Sequence, residues 1–421
     1  MFFIPRSTQH SLKMPDIDLY IIGATTRATA DMARRAGLKV GCFDSYADND
    51  LKSTATWVRQ TEFIDQTPEI SPEAFQQIIQ QRPWIATGPL ENCPKWVEIA
   101  AQKTTYLGNK PSTCRALRDI FELSASLSEI GFSIQFPEIQ PLSVLPNPPE
   151  QWLFKPHSGT GGWEIQAARK RFSSRLRPQA KTASGYWQKR IAGPSFGATI
   201  LSDQSQAIVA GICRSFHGIP GRPFAYRGST GPIDSGPIRK MLPELTSLAN
   251  WLTREFQIRG LWNIDLIQDR RNRKWFVLEV NPRPSASMEV LELAAGQPLM
   301  AIHMQIFRND PGWTDSALKF AKASAKASSA VVKRVLYSER SRKISLQELP
   351  AMEQDLWSPQ RWADIPCPGS RVYRGYPLMT QIGLEPRKHS PASDSNTNKM
   401  TPGFVVVYNK DISGDRCDSP S

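Results

Sequence analysis

The sequence predicts an α/β N-terminal unit, then an α+β unit, then a small β-rich C-terminal segment. Three observations carry this. Residues 16–43 read as strand, turn, helix and strand, a parallel β–α–β arrangement. Residues 151–280 are rich in strands and end in two strands joined by the charged turn Asp269-Arg270-Arg271-Asn272-Arg273. After Pro311 the chain changes character, and residues 362–383 are short strands and turns with Pro and Gly. A chain of 421 residues is also too long for one compact core.

The elements follow in order. Residues 17–22 are a β-branched run and read as a strand, followed by the turn Gly23-Ala24-Thr25-Thr26, where either Thr can cap a helix. Residues 27–36 are helical up to Gly37, and residues 38–43 are the second strand. A dinucleotide fingerprint requires GxGxxG after the first strand, and only Gly23 is present. Asp44 therefore imitates a ribose-binding acid without making an NAD site. Residues 71–81 form a helix opened by a Ser-Pro cap, 84–87 a strand, and 94–101 a helix. The pattern over residues 111–131 is helical, with apolar residues at Leu117, Ile120, Phe121, Leu123 and Leu127. The proline-rich stretch 137–149 marks a subdomain boundary. Strands are expected at 151–156, 186–191, 198–202 and 206–214, then a helix at 237–256, strands at 260–268 and 274–280, and helices at 287–294 and 298–308. Beyond Pro386 the polar composition reads as disorder, with 404–408 able to add a strand. The resulting division is 1–110, then 111–310 (split into 111–191 and 192–310), then 311–388, then a tail over 389–421.

Composition narrows the class. Apolar residues make up 40% and charged residues 22%, as in soluble globular proteins. No apolar run reaches the roughly 20 residues that cross a bilayer. Residues 1–13 lack the pattern of a signal peptide, so a cytoplasmic location is the default expectation. Six cysteines without a CxxC pair, and five histidines, argue against a zinc site and a disulfide framework. The net charge of +13 favours anionic partners such as nucleotides or acidic metabolites. The basic segment 319–343 has no aromatic interleaving of the kind single-strand binders use. It reads as a solvated helix face leading into a strand, and neither a nucleic acid nor a membrane is expected as partner.

The chemistry concentrates in three places. In the first, Phe276-Val277-Leu278-Glu279-Val280-Asn281-Pro282-Arg283 follows Asp265 on the preceding strand. Residues two apart on a strand share a face, so Glu279 and Asn281 project together and Asp265 can reach them. Two carboxylates and an amide form a hard-oxygen cluster suited to Mg²⁺ shared with substrate phosphates. Arg283 lies just beyond, where a cation can stabilise a transferring phosphoryl group. Glu279 also interrupts an apolar run, and a charge there is costly to bury without a partner.

The second is Leu153 to Gln166, where a strand delivers Lys155 into a loop, Ser158-Gly159-Thr160-Gly161-Gly162. Such loops fold over phosphates and donate backbone N–H groups, and Lys155 adds a point charge. No GK[ST] follows, so this is not a Walker A loop. A glycine hairpin alone is more often a turn; the strand Lys before it favours the functional reading. The third is Tyr186 to Ile200, a strand broken by Gly-Pro, which can act as a hinge whose backbone reads an adenine edge with help from Gln188.

Taken in chain order, strand Lys155 with its glycine loop, then the hinge, then Asp265 and Glu279-Val280-Asn281 on paired strands, the three features resemble the ATP-grasp superfamily over residues 111–308, with the preceding β–α–β unit similar to a pre-ATP-grasp domain. The segments beginning at Gly23 and Ala363 look similar to a group of predicted ATP-dependent carboligases, distantly related to biotin carboxylase and tyramine–glutamate ligase. The resemblance implies an α/β pre-ATP-grasp domain, an α+β ATP-grasp fold, ATP between two subdomains, and Mg²⁺ (or Mn²⁺) as cofactor. It implies that Lys155 and the loop Ser158, Gly159, Thr160, Gly161 and Gly162 hold phosphates. Gln188 would stand where relatives often carry a Glu near the adenine amine, and Ile191 would offer backbone contacts. Asp265, Glu279 and Asn281 would be the metal ligands, and Arg283 would face an acyl phosphate. The family usually has a second phosphate-binding Lys; here the candidate is Arg118, beside Arg115, and Arg and Lys are not interchangeable at such a site.

The implied activity is an ADP-forming ligase that joins a small-molecule carboxylate to an amine or similar nucleophile. Related enzymes are often homodimers. Arg27 is a candidate for a substrate carboxylate or for a solvated helix surface, and Arg214 and Tyr226-Arg227-Gly228 are further cleft candidates. A competing reading is a non-catalytic nucleotide-binding scaffold or sensor, against which the intact Asp265, Glu279, Asn281 and Lys155 argue. A nicotinamide-dependent oxidoreductase is disfavoured by the missing glycines.

Overall fold

The structure, a computed structural model, describes residues 16–168 and 184–386. The tail 389–421, the candidate strand 404–408 and the reading of residues 1–13 lie outside the described residues.

The N-terminal unit is built as its period-2 pattern dictates. Strands β1 (Leu19–Gly23), β2 (Val40–Asp44), β3 (Trp57–Gln60), β4 (Pro83–Ala86) and β5 (Thr105–Tyr106) form a parallel sheet in the order β3-β2-β1-β4-β5. Tyr20 and Ile22 face one side and pack with helices α3 (Pro72–Ile79) and α4 (Pro94–Ala101) through Phe75 and Trp96. Leu19 and Ile21 face the other side and share a core with α1 (Arg27–Arg35), through which this unit joins the rest of the chain. Helix α2 (Asn49–Thr54) lies between β2 and β3. The expected Ser-Pro cap is present: the Ser71 hydroxyl accepts from the Ala74 N–H at 3.1 Å.

The helical pattern over residues 111–131 is realised as two helices, α5 (Pro111–Arg118) and α6 (Ile120–Ile130). Asp119 breaks the run at ψ 83°, and its carboxylate accepts from the Glu122 N–H at 3.3 Å, capping the second helix. A small antiparallel sheet follows in the order β8-β7-β9-β6, from β6 (Ile139–Pro141), β7 (Trp152–Pro156), β8 (Gln166–Ala167) and β9 (Gly185–Lys189). It has its own core of Trp152, Phe154 and Trp187.

The main sheet has eight strands: β10 (Ser195–Asp203), β11 (Ala207–Ile219), β12 (Arg222–Gly231), β13 (Arg259–Gln268), β14 (Trp275–Asn281), β15 (Ser329–Tyr337), β16 (Arg361–Ala363) and β17 (Pro377–Pro386). Their order is β14-β13-β10-β11-β12-β15-β17-β16. One face packs on α7 (Gly236–Phe256) through Leu245 and Leu248 against Ile200 and Trp262. The other packs on α8 (Met288–Ala295), α9 (Leu299–Phe307) and α10 (Trp313–Lys326).

Two features differ from the sequence reading. Strand β12 was not expected, because Pro223, Gly228 and Gly231 interrupt its pattern; the Pro220-Gly221 pair that turns β11 into it was the available signal. The second is the place of the β-rich segment after Pro311, which extends the main sheet, since β15 pairs with β12 over Gly228–Gly231. The basic stretch 319–343 is a helix leading into a strand, with Lys319, Lys322 and Lys326 exposed. Lys333 is buried and paired with Glu289 at 2.8 Å.

Candidate active site

The three oxygen ligands predicted from the two-residue period do share a face. In the antiparallel pair β13–β14, Asp265 stands opposite Glu279 and Asn263 opposite Asn281, so all four side chains project together. The Asp265 carboxylate accepts from the Asn263 amide at 2.8 Å and from the Asn281 amide at 3.0 Å. Burial, and next the Glu279 charge across the ladder, push the Asp265 carboxyl up to about 7. Asn263, which the sequence reading did not single out, keeps its amide oxygen buried without a hydrogen-bond partner among the described residues. The period that selected Glu279 and Asn281 would also have selected Asn263, two residues before Asp265.

The register of this pair slips after Asp265, so that Leu266 faces Val277 and Leu278 bulges. Lys155, on β7, donates to the Leu278 carbonyl at 3.0 Å. The bulge thereby ties the small sheet to the ligand-bearing strands and holds the ammonium beside Asp265, whose carboxyl it draws down. Lys155 pairs with Tyr186 on β9, and Gln188 lies two residues further along the same face. Gln188 is buried, with its amide nitrogen lacking a partner among the described residues. Ile191 is half-buried just after that strand. At the break that follows, a Cβ on Gly193 would lie 1.8 Å from the Gln268 carbonyl oxygen, so only glycine allows this approach of the hinge to β13.

The glycine loop is held from two sides. The Gly161 carbonyl accepts from the Tyr226 N–H of β12 at 2.9 Å. Gly162 sits at φ 72°, where a Cβ would fall 2.1 Å from the Phe224 carbonyl oxygen. The Ser158 carbonyl accepts from the side chains of Gln66 and Asn92 in the N-terminal unit, the latter at 3.2 Å. Gly159 packs against Pro156, and the Thr160 carbonyl accepts from the Trp163 N–H at 3.3 Å.

The helix break at Asp119 leaves Arg118 at the C-terminal end of α5. Its guanidinium pairs with Glu279 and reaches Glu91 at 3.3 Å. Arg283 Nε donates to the same Glu91 oxygen at 2.6 Å. Burial raises the Glu91 carboxyl, but the charges of Arg283 and then Arg118 outweigh it and hold the group below its ordinary range. Glu91 was not found from the sequence, where it stands in a short apolar–polar stretch without periodicity.

Arg27 meets neither sequence expectation. It is fully buried and bridges Asp31, Glu289 and Asp364, joining α1 to α8 and to the loop after β16. Asp44 is likewise consumed inside the fold: it accepts from the Thr26 hydroxyl at 2.8 Å and from the Tyr46 and Ala47 N–H groups. Tyr226 is half-buried with its hydroxyl 2.8 Å from that of Ser229, and Gly228 is pressed on the Lys333 carbonyl. Arg214 lies on β11 near the Phe216 ring.

With this geometry in place, residues 118–287 match the model of the ATP-grasp domain family. That match lies on the stretch from Arg118 to Ser287 that carries the glycine loop, the hinge and the paired strands described above. It is 36% identical over 63 residues to the arginine-specific large chain of carbamoyl phosphate synthase from Lactiplantibacillus plantarum, which is 15% of this chain and 6% of that one. Its fold is similar to biotin carboxylase from Campylobacter jejuni (TM-score 0.65, 15% identity, 88% of each chain). It is also similar to an L-amino acid ligase from Bacillus licheniformis (TM-score 0.63, 15% identity, 88% of this chain and 94% of that one). Against Rhizobium etli pyruvate carboxylase the TM-score is 0.67 at 14% identity, over 88% of this chain and 36% of that much longer chain. Among the described residues no helix is long and apolar enough to cross a membrane.

Proposed function

We propose that this chain is an ATP-dependent, ADP-forming ligase that activates a carboxylate as an acyl phosphate and transfers the acyl group to an amine or similar nucleophile. The observation that carries the reading is the shared face of Asp265, Glu279 and Asn281, ringed by Lys155, Arg118 and Arg283. Oxygen acceptors fixed on two paired strands, with cations converging from three other elements, suit a polyphosphate and its counter-ion. The match of residues 118–287 to the ATP-grasp domain model and the L-amino acid ligase among the structural relatives support the reaction class.

The donor set fits Mg²⁺. All its ligating atoms are oxygens, and the two carboxylates repel one another in a way a divalent cation reconciles. Asp265, Glu279 and Asn281 would hold the ion, which when bound would screen the β- and γ-phosphates. Lys155, the backbone of residues 158–162 and Arg118 would neutralise and orient the phosphate oxygens. Gln188, whose amide nitrogen lacks a partner among the described residues, and the backbone at Ile191 would meet the adenine edge. A substrate carboxylate oxygen then forms a bond to the γ-phosphorus as the bond to the β–γ bridging oxygen breaks, releasing ADP. The nucleophile's nitrogen attacks the acyl carbon, inorganic phosphate leaves, and the ammonium proton passes to solvent. Arg283 would face the acyl phosphate and balance its charge. No protein nucleophile is needed, since positioning and charge neutralisation suffice.

The test is ADP release from ATP in the presence of paired acids and amines. The reading expects one pair to stimulate release and Glu279→Ala to abolish it. ATP binding with no stimulation by any pair would favour the non-catalytic scaffold or sensor instead, and stimulation that survives in Glu279→Ala would contradict the mechanism.

A further inference from the structure

The N-terminal unit reaches the site through one short turn. Residues Leu90–Asn92 form a single 3₁₀ turn between β4 and α4, and two consecutive side chains of it grip elements of the candidate phosphate site. The Asn92 amide donates to the Ser158 carbonyl of the glycine loop at 3.2 Å. The Glu91 Oε1 accepts from Arg283 Nε at 2.6 Å and from the Arg118 guanidinium at 3.3 Å.

Glu91 does not face a ligand itself. Its side chain is 3% exposed, and its other oxygen, Oε2, is buried with no hydrogen-bond partner among the described residues. A carboxylate taken out of water needs opposing charge at close range. Burial raises the group, yet the charges of Arg283 and then Arg118 outweigh it and keep the carboxylate ionised. Anything Glu91 does for the reaction therefore passes through these two arginines.

For Arg283 the effect is geometric. Its Nε is tied to Glu91, and its Nη1 donates to the Pro284 carbonyl at 3.1 Å. A Cβ on Gly88 would fall 3.1 Å from Nη2, 3.2 Å from Cζ and 3.3 Å from Nε. Such near-equal distances place the glycine against the face of the planar fork. The guanidinium is thus fixed along one edge and on one face, and its Nη2 donates to no group among the described residues. Arg118 gains a different benefit. Its other partner is Glu279, so once that carboxylate is given over to a cation, Glu91 is the anchor that Arg118 keeps.

We propose that Glu91 is a positioning residue of the ligase reaction: it holds the Arg283 fork on Gly88 so that Nη2 is presented to the phosphoryl group of the acyl phosphate, and it keeps Arg118 alongside. Without the shared carboxylate the two guanidiniums repel one another and turn apart. This role rests on the ligase reading.

The test is calorimetric titration of inorganic phosphate into the full chain saturated with MgADP, with titration of MgADP itself and Tm alongside. Glu91→Gln keeps the size of the side chain and removes its charge. If Glu91 were only a nearby negative charge, the variant would bind phosphate more tightly; if it were only structural, Tm would fall and the affinity of the folded protein would not change. Positioning expects phosphate to bind about tenfold more weakly. MgADP should be affected less, since the contact to Arg118 is the longer one. Glu91→Asp, which keeps the charge, should recover part of the loss. Gly88→Ala changes no charge but displaces the pinned fork, and should weaken phosphate more than MgADP. Phosphate affinity that is equal or higher in Glu91→Gln, or untouched in Gly88→Ala, would overturn the role, as would a wild-type chain that binds MgADP but no phosphate. A wild-type chain that binds no MgADP would strike the ligase reading itself.

Discussion

Arg118 and Glu279 form the contact on which the site's residue chemistry turns. The guanidinium holds a carboxylate that the ligase reading assigns to a cation, so nucleotide binding must exchange one positive partner for another. Arg118→Ala is expected to weaken ATP binding by roughly ten- to a hundredfold, since a charged hydrogen-bonding partner of phosphate contributes about 1.5–3 kcal/mol. Arg118→Lys should recover part of that loss, because the charge remains and the fork that also reaches Glu91 does not. ATP titration of the three proteins measures this, and unchanged affinity in Arg118→Ala would remove the residue from the phosphate site. The sequence made Asp265, Glu279 and Asn281 legible because strand periodicity alone assigns them a common face. It did not reveal Glu91, or the burial of Arg27 against the sequence-distant Glu289 and Asp364. Local pattern carries no information on such pairs.

At the scale of elements, the glycine loop and the hinge are fixed by approach distances that only glycine permits. Gly162→Ala combines a φ of 72° with a Cβ 2.1 Å from a carbonyl oxygen, and is expected to break the seating of the loop on β12. Gly161 has a similar φ of 59° but meets only the edge of Trp163 at 3.4 Å, so Gly161→Ala should be milder. Hydrogen exchange at Tyr226, whose N–H binds the loop, separates the two: exchange should rise clearly in the first variant and little in the second. Equal protection in both would contradict the seating argument. Most element identities were legible from caps and apolar period, including the Ser71 cap and the turn between β13 and β14. The exceptions have local causes. Asp119 bonds its own following backbone and splits a helix whose apolar spacing is continuous across it. Strand β12 was hidden because its glycines serve close packing rather than turns, Gly228 against Lys333 on β15 and Gly231 against Cys213 on β11.

At the scale of the whole molecule, buried charge and a buried imidazole tie the N-terminal unit to the main sheet. Glu289 receives Arg27, Lys333 and Arg361 together, all buried. Glu289→Gln would leave those cations short of a counter-charge, and urea denaturation is expected to show a loss of about 3–5 kcal/mol. A loss under about 1 kcal/mol would mean the network is dispensable. His303 accepts from the Leu261 N–H at 3.0 Å and hydrogen-bonds the Leu107 carbonyl at 3.0 Å. Burial holds its imidazole down at about 4. Because the folded value lies below the unfolded one, the unfolded state binds the extra proton between about pH 6.5 and 4. Stability should therefore fall as pH drops through that window. In His303→Leu, less stable at neutral pH, this part of the fall should be absent; an equally steep fall in both proteins would contradict the assignment. The order of units was readable from the sequence, but not the continuation of the main sheet through residues 329–386, since strand pairing across such separations leaves no local mark. The central claim is that Asp265, Glu279 and Asn281 bind the cation of MgATP. Calorimetric titration of ATP with and without Mg²⁺, in wild type and in Glu279→Gln, tests it most directly. The account expects Mg²⁺ to tighten ATP binding strongly in wild type and little in the variant; the same Mg²⁺ dependence in both proteins would contradict it.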